Sequence, residues 1–366
     1  MIDVPRVLVM VGTRKGAFLL ESDEQRRDWR LRGPFCEGWS VYHVVHDPDS
    51  DPAHPAIYAA AASDWHGPAV WRSPDLGTRW EHSSEGLSYG EDGELRLSKV
   101  SGLAAGHGRV LAGAEAAGVF ESRDGGVTWS LLSTLDDQPG REDWNVSGNQ
   151  PPGHLGMPGL LMHPDDPDRF WVIVQGFGAF ETTDGGGSWT PRNRGLRADW
   201  PLEHEEVGFC VHKLVMSPVD HERLYQQNHV GVHRSDDAGR SWTEITDGLP
   251  SEFGFAAAAH PHDRDGFYVV PLDGGHGRVM PEGRAAVWRT RDAGASWERL
   301  SRGLPETAAY VGVLREGMAI DTLEQPGLYV GTSTGQLFAS ADEGDSWREI
   351  AGYLPGISSV EVAVLD

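Results

Sequence analysis

The stretch Ser235-Asp-Asp-Ala-Gly-Arg-Ser-Trp242 decides the fold, because the chain writes it six times. The phrase Ser/Thr-x-Asp-x-Gly-x-x-Trp is centred on Asp75, Asp124, Asp184, Asp237, Asp292 and Asp342, at spacings of 49, 60, 53, 55 and 50 residues. A period near fifty marks an array of small sheets. A worn seventh copy, Ser22/Glu24/Arg26/Trp29, stands 51 residues ahead of Asp75.

Around Asp237 the repeating unit reads strand by strand. Segments 209–217, 223–228, 231–235 and 241–245 are short, rich in β-formers and bounded by Gly, Pro or Asp, the pattern of an antiparallel meander. The phrase fills the turn between the third and fourth strands. There the carboxylate accepts turn N–H groups, Gly supplies a conformation other residues resist, and Trp packs between neighbouring sheets. Six copies suit a structural staple, since one active site does not need them all.

The expected fold is all-β: a seven-bladed β-propeller of four-stranded antiparallel blades, forming a single domain over 1–366. The blades fall at about 1–33 with 358–366, then 41–83, 97–133, 155–192, 208–246, 253–300 and 309–351. Segments 6–12, 16–21 and 29–32 read as the second to fourth strands of a blade lacking its first. The alternating segment 358–365 is expected to supply that strand, joining the two ends of the chain and removing an exposed edge.

Composition narrows the function. The 366 residues carry 31 Lys and Arg against 55 Asp and Glu, a net charge of −24, so there is no basic footprint for nucleic acid. The acidic surface repels anionic membranes, and no stretch approaches a membrane span. The N-terminal segment is acidic where a secretion signal is basic, and two cysteines, Cys36 and Cys210, do not make a disulfide framework. A cytoplasmic location is expected.

Accessory signals recur in register with the Asp phrase: Asp47-Pro48, His163-Pro164, Ser217-Pro218 and His260-Pro261 after first strands, and Gly248-Leu-Pro250, Gly303-Leu-Pro305 and Tyr353-Leu-Pro355 after fourth strands. The arrangement resembles the Asp-box (BNR) repeat proteins, which include sialidases, xyloglucanases, sorting-receptor ectodomains and photosystem-assembly factors. Four segments, 11–18, 207–213, 226–231 and 250–255, look most like bacterial sialidase-like members that carry glycosyl hydrolase names without an established substrate. The resemblance implies a propeller shared by enzymes and binders. The sialidase pattern itself departs: Arg14 lies in Gly12-Thr-Arg-Lys-Gly16 rather than in Arg-Ile-Pro, and the ring counts seven blades instead of six.

On such a ring, chemistry is sought on the face carrying the loops between blades and between second and third strands, opposite the Asp turns. Its connections over 133–156, 192–207 and 272–284 are long. Trp39, Trp65, Trp144 and Trp200 fall in these loops, and only three lysines, Lys15, Lys99 and Lys213, stand among 28 arginines. Seven histidines map to this face or to inner-strand starts: His43, His66, His154, His204, His212, His229 and His276.

These residues give a candidate site at the channel mouth acting on a small, anionic or short glycan substrate. His212, His229 and His154 are the candidate ligands of one divalent transition metal. Lys213 or Arg14 then neutralises a substrate anion. Without a metal, Glu115 or Glu206 is the candidate acid or base, with Asn228 beside it. Trp65, Trp144, Arg278 and Arg315 are candidate substrate contacts. The expected activity is that of a hydrolase or lyase. The alternative is a non-catalytic propeller that binds a ligand or protein partner.

Overall fold

The computed structural model describes residues 6–51, 54–90, 95–141, 156–198, 204–274 and 277–365. Its strands form seven sheets of four, all antiparallel. Blade 1 is Ile357–Leu365, Arg6–Thr13, Gly16–Asp23 and Arg30–Phe35. The first strands of blades 2 to 7 are Ser40–His46, Val100–Gly106, Gly159–Met162, Val211–Ser217, Gly254–Ala259 and Met318–Ile320. Each of these first strands touches the first strand of the next blade, and that of blade 7 touches Ile357–Leu365, so the inner strands close a ring.

What holds blade to blade is apolar burial at every interface. The buried side chains divide into seven clusters, and each joins two adjacent blades. Between blades 3 and 4, for example, Leu111 and Val119 meet Phe170, Phe180 and Trp189. Each fully buried side chain of this size contributes roughly 1.5–3 kcal/mol, so no blade is stable without its neighbours.

The Asp phrase builds the turn that its residues imply. In all six copies the Ser or Thr hydroxyl donates to the Asp carboxylate at 2.7–3.1 Å. The same hydroxyl accepts the Gly N–H at 2.7–2.9 Å. The N–H four residues after the Asp donates to the carboxylate at 2.7–2.9 Å. Gly is required at its place. Gly294 has φ +92°, and a Cβ there would lie 2.5 Å from Ile245 of the preceding blade. The tryptophan then reaches back, with Trp242 Nε1 donating to Arg192 O at 2.8 Å and Trp297 Nε1 to Ile245 O at 3.0 Å.

This turn also explains why the outer strands are shorter than expected. In blade 5 the fourth strand is only Thr243–Glu244. Ser241 is committed to Asp237, and the Trp242 N–H donates to Arg194 O of the preceding blade. The worn copy in blade 1 makes a different bond. Arg26, at φ 54°, sends its guanidinium to the buried Asp321 carboxylate at 2.8 Å and to Gln325 O at 2.9 Å, tying blade 1 to blade 7.

Ring closure occurs as the alternating terminal segment implies. Ile357–Leu365 pairs antiparallel with Arg6–Thr13 along its length, and Ile357, Val360 and Leu365 are buried. Deleting 358–366 removes those side chains and exposes a bare edge; the melting temperature is expected to fall by more than ~10 °C. A thermal scan showing unchanged melting would rule out closure by this strand.

The turn carboxylates carry a pH signature. Bonds from the Thr128 backbone and hydroxyl hold Asp124 at about 2, and the Ser188 hydroxyl and N–H hold Asp184 at about 2, against an ordinary value of 3.8. Their stabilisation is complete above pH 3.8 and is lost as the pH falls through about 2. Acid titration of Asp184→Asn should therefore show a smaller loss of stability between pH 4 and pH 2 than the parent. An identical acid limb would contradict this assignment.

Candidate functional site

The ring converges seven inner strands on one axis, and the first turn of several of them is polar. In blade 5 the run Cys210-Val-His-Lys213 enters the inner strand, and the backbone of the second strand returns beside it: His229 N–H donates to Cys210 O at 2.9 Å. That bond sets His229 next to His212, with ring centroids 5.6 Å apart. His212 is buried against Phe253 and Phe255 of blade 6, at 5.3 and 4.6 Å between ring centroids.

The protonation state of His212 follows from its partners. Nδ1 lies 2.6 Å from the Gly254 carbonyl, which can only accept, so Nδ1 carries the proton. Nε2 is then a lone pair, and it faces Cys210 Sγ at 3.5 Å. Burial, followed by the positive charge of Arg315, holds the imidazole well below the usual histidine range. His212 is therefore neutral at neutral pH. The Cys210 sulfur and one ring nitrogen each of His212 and His229 lie within 4.8 Å of one another, a spacing at which the three could hold a metal ion.

Two further groups bring three ligand atoms as close, but their tautomers differ. His43 Nδ1 accepts the Leu103 N–H at 3.0 Å, so the proton sits on Nε2 and is aimed at Glu361 (3.2 Å) and Glu316 (3.6 Å). His163 Nδ1 likewise accepts the Asp165 N–H at 3.2 Å. In the Cys210 group, by contrast, His212 has its backbone partner on the N–H side and a lone pair turned toward Cys210.

Cations surround the Cys-His-His group. The Arg315 and Arg278 guanidiniums lie 4.9 and 5.7 Å from the Phe255 ring. Arg315 Nε is buried without a hydrogen-bond partner among the described residues. Across the mouth, Lys99 sits 4.1 Å over the Tyr42 ring, and burial lowers its pKa. The Glu115 carboxylate accepts the Ser98 hydroxyl and acts on both Tyr42 and Lys99.

Lys213 points deeper, into an ion pair with the buried Glu316 carboxylate. Burial alone would lower the ammonium's pKa and raise the carboxyl's. At Lys213 the charges of Glu316 and Glu361 outweigh burial, and at Glu316 the Lys213 charge leads the effects that outweigh it, so Lys213 is raised, Glu316 is lowered, and both stay charged. The pair joins blades 5 and 7, and His43 brings in blade 2.

The structure thus groups Lys213, His212, His229 and Arg315 on one side of the axis, with Glu115 and Lys99 opposite. Asn228 is buried within blade 5, its amide 3.4 Å from His233 Nδ1. Arg14 and Glu206 are exposed, and Glu206 offers its backbone carbonyl to Asn193 at 2.8 Å. Trp65 is 91% exposed, whereas Trp39 is buried, stacked on His66 and edge-on to Trp71. Trp144, Trp200, His154 and His276 lie outside the described residues. The sequence reading missed Cys210 as a neighbour of the two histidines, Glu316 as the partner of Lys213, and the Phe253/Phe255 wall. The Cys-x-His spacing was the available signal for the first.

No family model matches the chain. A xyloglucanase of Paenibacillus sp. is 23% identical in an alignment of 263 positions that covers 65% of this chain and 23% of that enzyme's length. Among solved structures, YCF48 bound to D1 peptide is 14% identical with a TM-score of 0.54, covering 85% of this chain and 84% of its own. An ancestral GH74 enzyme is 15% identical with a TM-score of 0.55, over 88% of this chain but 38% of the enzyme. Apo AztD from Citrobacter koseri is 11% identical with a TM-score of 0.54, over 99% of both chains.

Breaking the Lys213–Glu316 pair from one side is expected to cost about 3–5 kcal/mol, because Glu316→Leu strands a buried ammonium. The double variant Lys213→Met, Glu316→Leu should recover more than half of that loss. Chemical denaturation of the parent, the single variants Lys213→Met and Glu316→Leu, and the double variant checks this; additive losses would mean that the two side chains are not coupled. By fold, the chain is a β-propeller, similar along nearly its whole length to single rings and to a part of much longer enzymes.

Proposed function

We propose that this propeller is a hydrolase of small anionic substrates, with a divalent transition metal held at the channel mouth by Cys210, His212 and His229. The observation that carries the reading is the 2.6 Å contact between His212 Nδ1 and Gly254 O, which leaves Nε2 as a donor atom facing Cys210. A backbone partner on the far nitrogen is the usual way a ligating histidine is oriented. Three protein ligands leave a position for water, and a bound metal there would supply a nucleophilic hydroxide near neutral pH.

The remaining residues suit an anion. Arg315 and Arg278 over Phe255 offer two guanidiniums to a carboxylate or phosphate oxygen. Lys99, with its lowered pKa beside Glu115, is placed to move a proton on the opposite side. The six Asp turns, taken with the xyloglucanase likeness, support membership of the Asp-box propellers, and that class contains hydrolases.

A second reading is a peptide-binding module. It draws on the likeness to YCF48 over 85% of this chain, in a structure that holds a D1 peptide, and on Trp65 and Tyr310, 91% and 68% exposed. Here the same arginines would grip acidic side chains and no turnover would follow.

Elemental analysis of untagged protein separates the two. About one zinc or iron per chain is expected, with loss of at least tenfold in occupancy in His212→Ala and in His229→Ala. Hydrolysis of small phosphate and carboxylate esters should fall in parallel, and Arg315→Ala should raise KM more than it lowers kcat. Metal-free protein that turns over none of these substrates would leave the binding module as the reading.

A further inference from the structure

Beyond the polar group at the channel mouth, the axis holds a cavity of ≈ 530 Å³ that the proposed hydrolysis does not use. It lies on the other side of Lys213 and Glu316, along the later residues of the inner strands, and reaches Pro48, Asp321 and Thr322 in the turns that follow them. Its size is that of a small-ligand pocket. The walls are apolar: Val45, Leu103, Leu161, Leu214, Val362 and Val364.

The floor is charged, and its charges do not cancel. Lys213 is committed to Glu316, and Asp321 to Arg26. Glu361 takes the Nε2 proton of His43 at 3.2 Å, the Nδ1 of that ring accepting the Leu103 N–H, and it feels the Lys213 ammonium only at longer range. Among the described residues, no Arg or Lys lies within ion-pair distance of Glu361, and its side chain is 33% exposed, into this cavity. A carboxylate held in place by a neutral donor, at the end of an apolar tube, is complementary to a cation with a hydrocarbon tail.

We propose that this cavity binds a small amphiphilic amine, its ammonium on Glu361 and its chain along the inner strands of blades 1 to 5. The head group is selected by charge, because two carboxylates, Glu316 and Glu361, share the one Lys213 ammonium. The tail is selected by area, since each buried methylene adds about 0.8 kcal/mol. An aliphatic carboxylate of equal length is rejected by Glu361. An alcohol keeps the tail term and loses the ionic one.

Calorimetric titration at pH 7 with n-hexylamine, hexanoate and 1-hexanol tests this on the full chain. The amine should bind at least tenfold more tightly than the alcohol, with hexanoate weaker still. Glu361→Gln should erase the preference for amine over alcohol. Ala104→Phe, which fills the tube beside Leu103, should weaken all three. Both variants must melt within a few degrees of the parent, which controls for folding without reference to the proposed hydrolysis. Equal binding of amine and alcohol, no binding of the amine, or a preference that survives Glu361→Gln would each overturn the proposal.

Discussion

The ladder between Arg6–Thr13 and Ile357–Leu365 is the contact on which the rest of the molecule depends. A repeated sheet buries its faces only against its neighbours, so seven blades in a row leave two bare ends. Pairing the two ends of the chain within one blade converts that row into a ring with no terminal face. It also positions the axis. The same strand supplies Glu361, and its Val360 N–H donates to Glu316 O at 2.6 Å. Closure therefore sets the distances from the carboxylates of blades 1 and 7 to His43 of blade 2 and to the Lys213 ammonium of blade 5.

Those charges divide the channel. On one side of the Lys213–Glu316 pair, aromatic side chains, Cys210 and two histidines face a cluster of guanidiniums. On the other, aliphatic side chains lead down to a carboxylate. A buried ion pair contributes little net stability, because desolvation offsets most of the attraction. Its consequence here is electrostatic: by neutralising each other, Lys213 and Glu316 leave Arg315 and Arg278 to set the field on one side and Glu361 on the other.

The fold was legible because it is local and repeated. Every Asp turn is made within eight consecutive residues, and its Ser, Asp, Gly and Trp each answer a separate requirement of the backbone or the adjoining blade. The terminal strand was legible from an alternating segment left without a blade. Strand ends were less so, since Trp242 and Ser241 are claimed by the turn and by the neighbouring blade rather than by the ladder. The site was legible in part. His212 and His229 stood out as a dense local pair in one blade, and Lys213 as one of three lysines. The Glu316 partner could not be read, because it comes from a different blade. Nor could the contact between His43 and Glu361, which are 318 residues apart and meet only once the ring has closed. Charge at the start of an inner strand was the one usable signal, and Lys99, Lys213 and Glu316 all share it.

The central claim is that the first two strands of blade 5 hold Cys210, His212 and His229 around one metal ion. Anomalous diffraction at the zinc edge, from crystals of untagged protein grown with zinc, measures this directly. The expected result is one dominant peak at the channel mouth, about 2.3 Å from Cys210 Sγ and about 2.0–2.1 Å from His212 Nε2 and a His229 ring nitrogen. A peak confined to surface groups such as His163 and His221, with His212 still directed at an unmetallated Cys210, would contradict it.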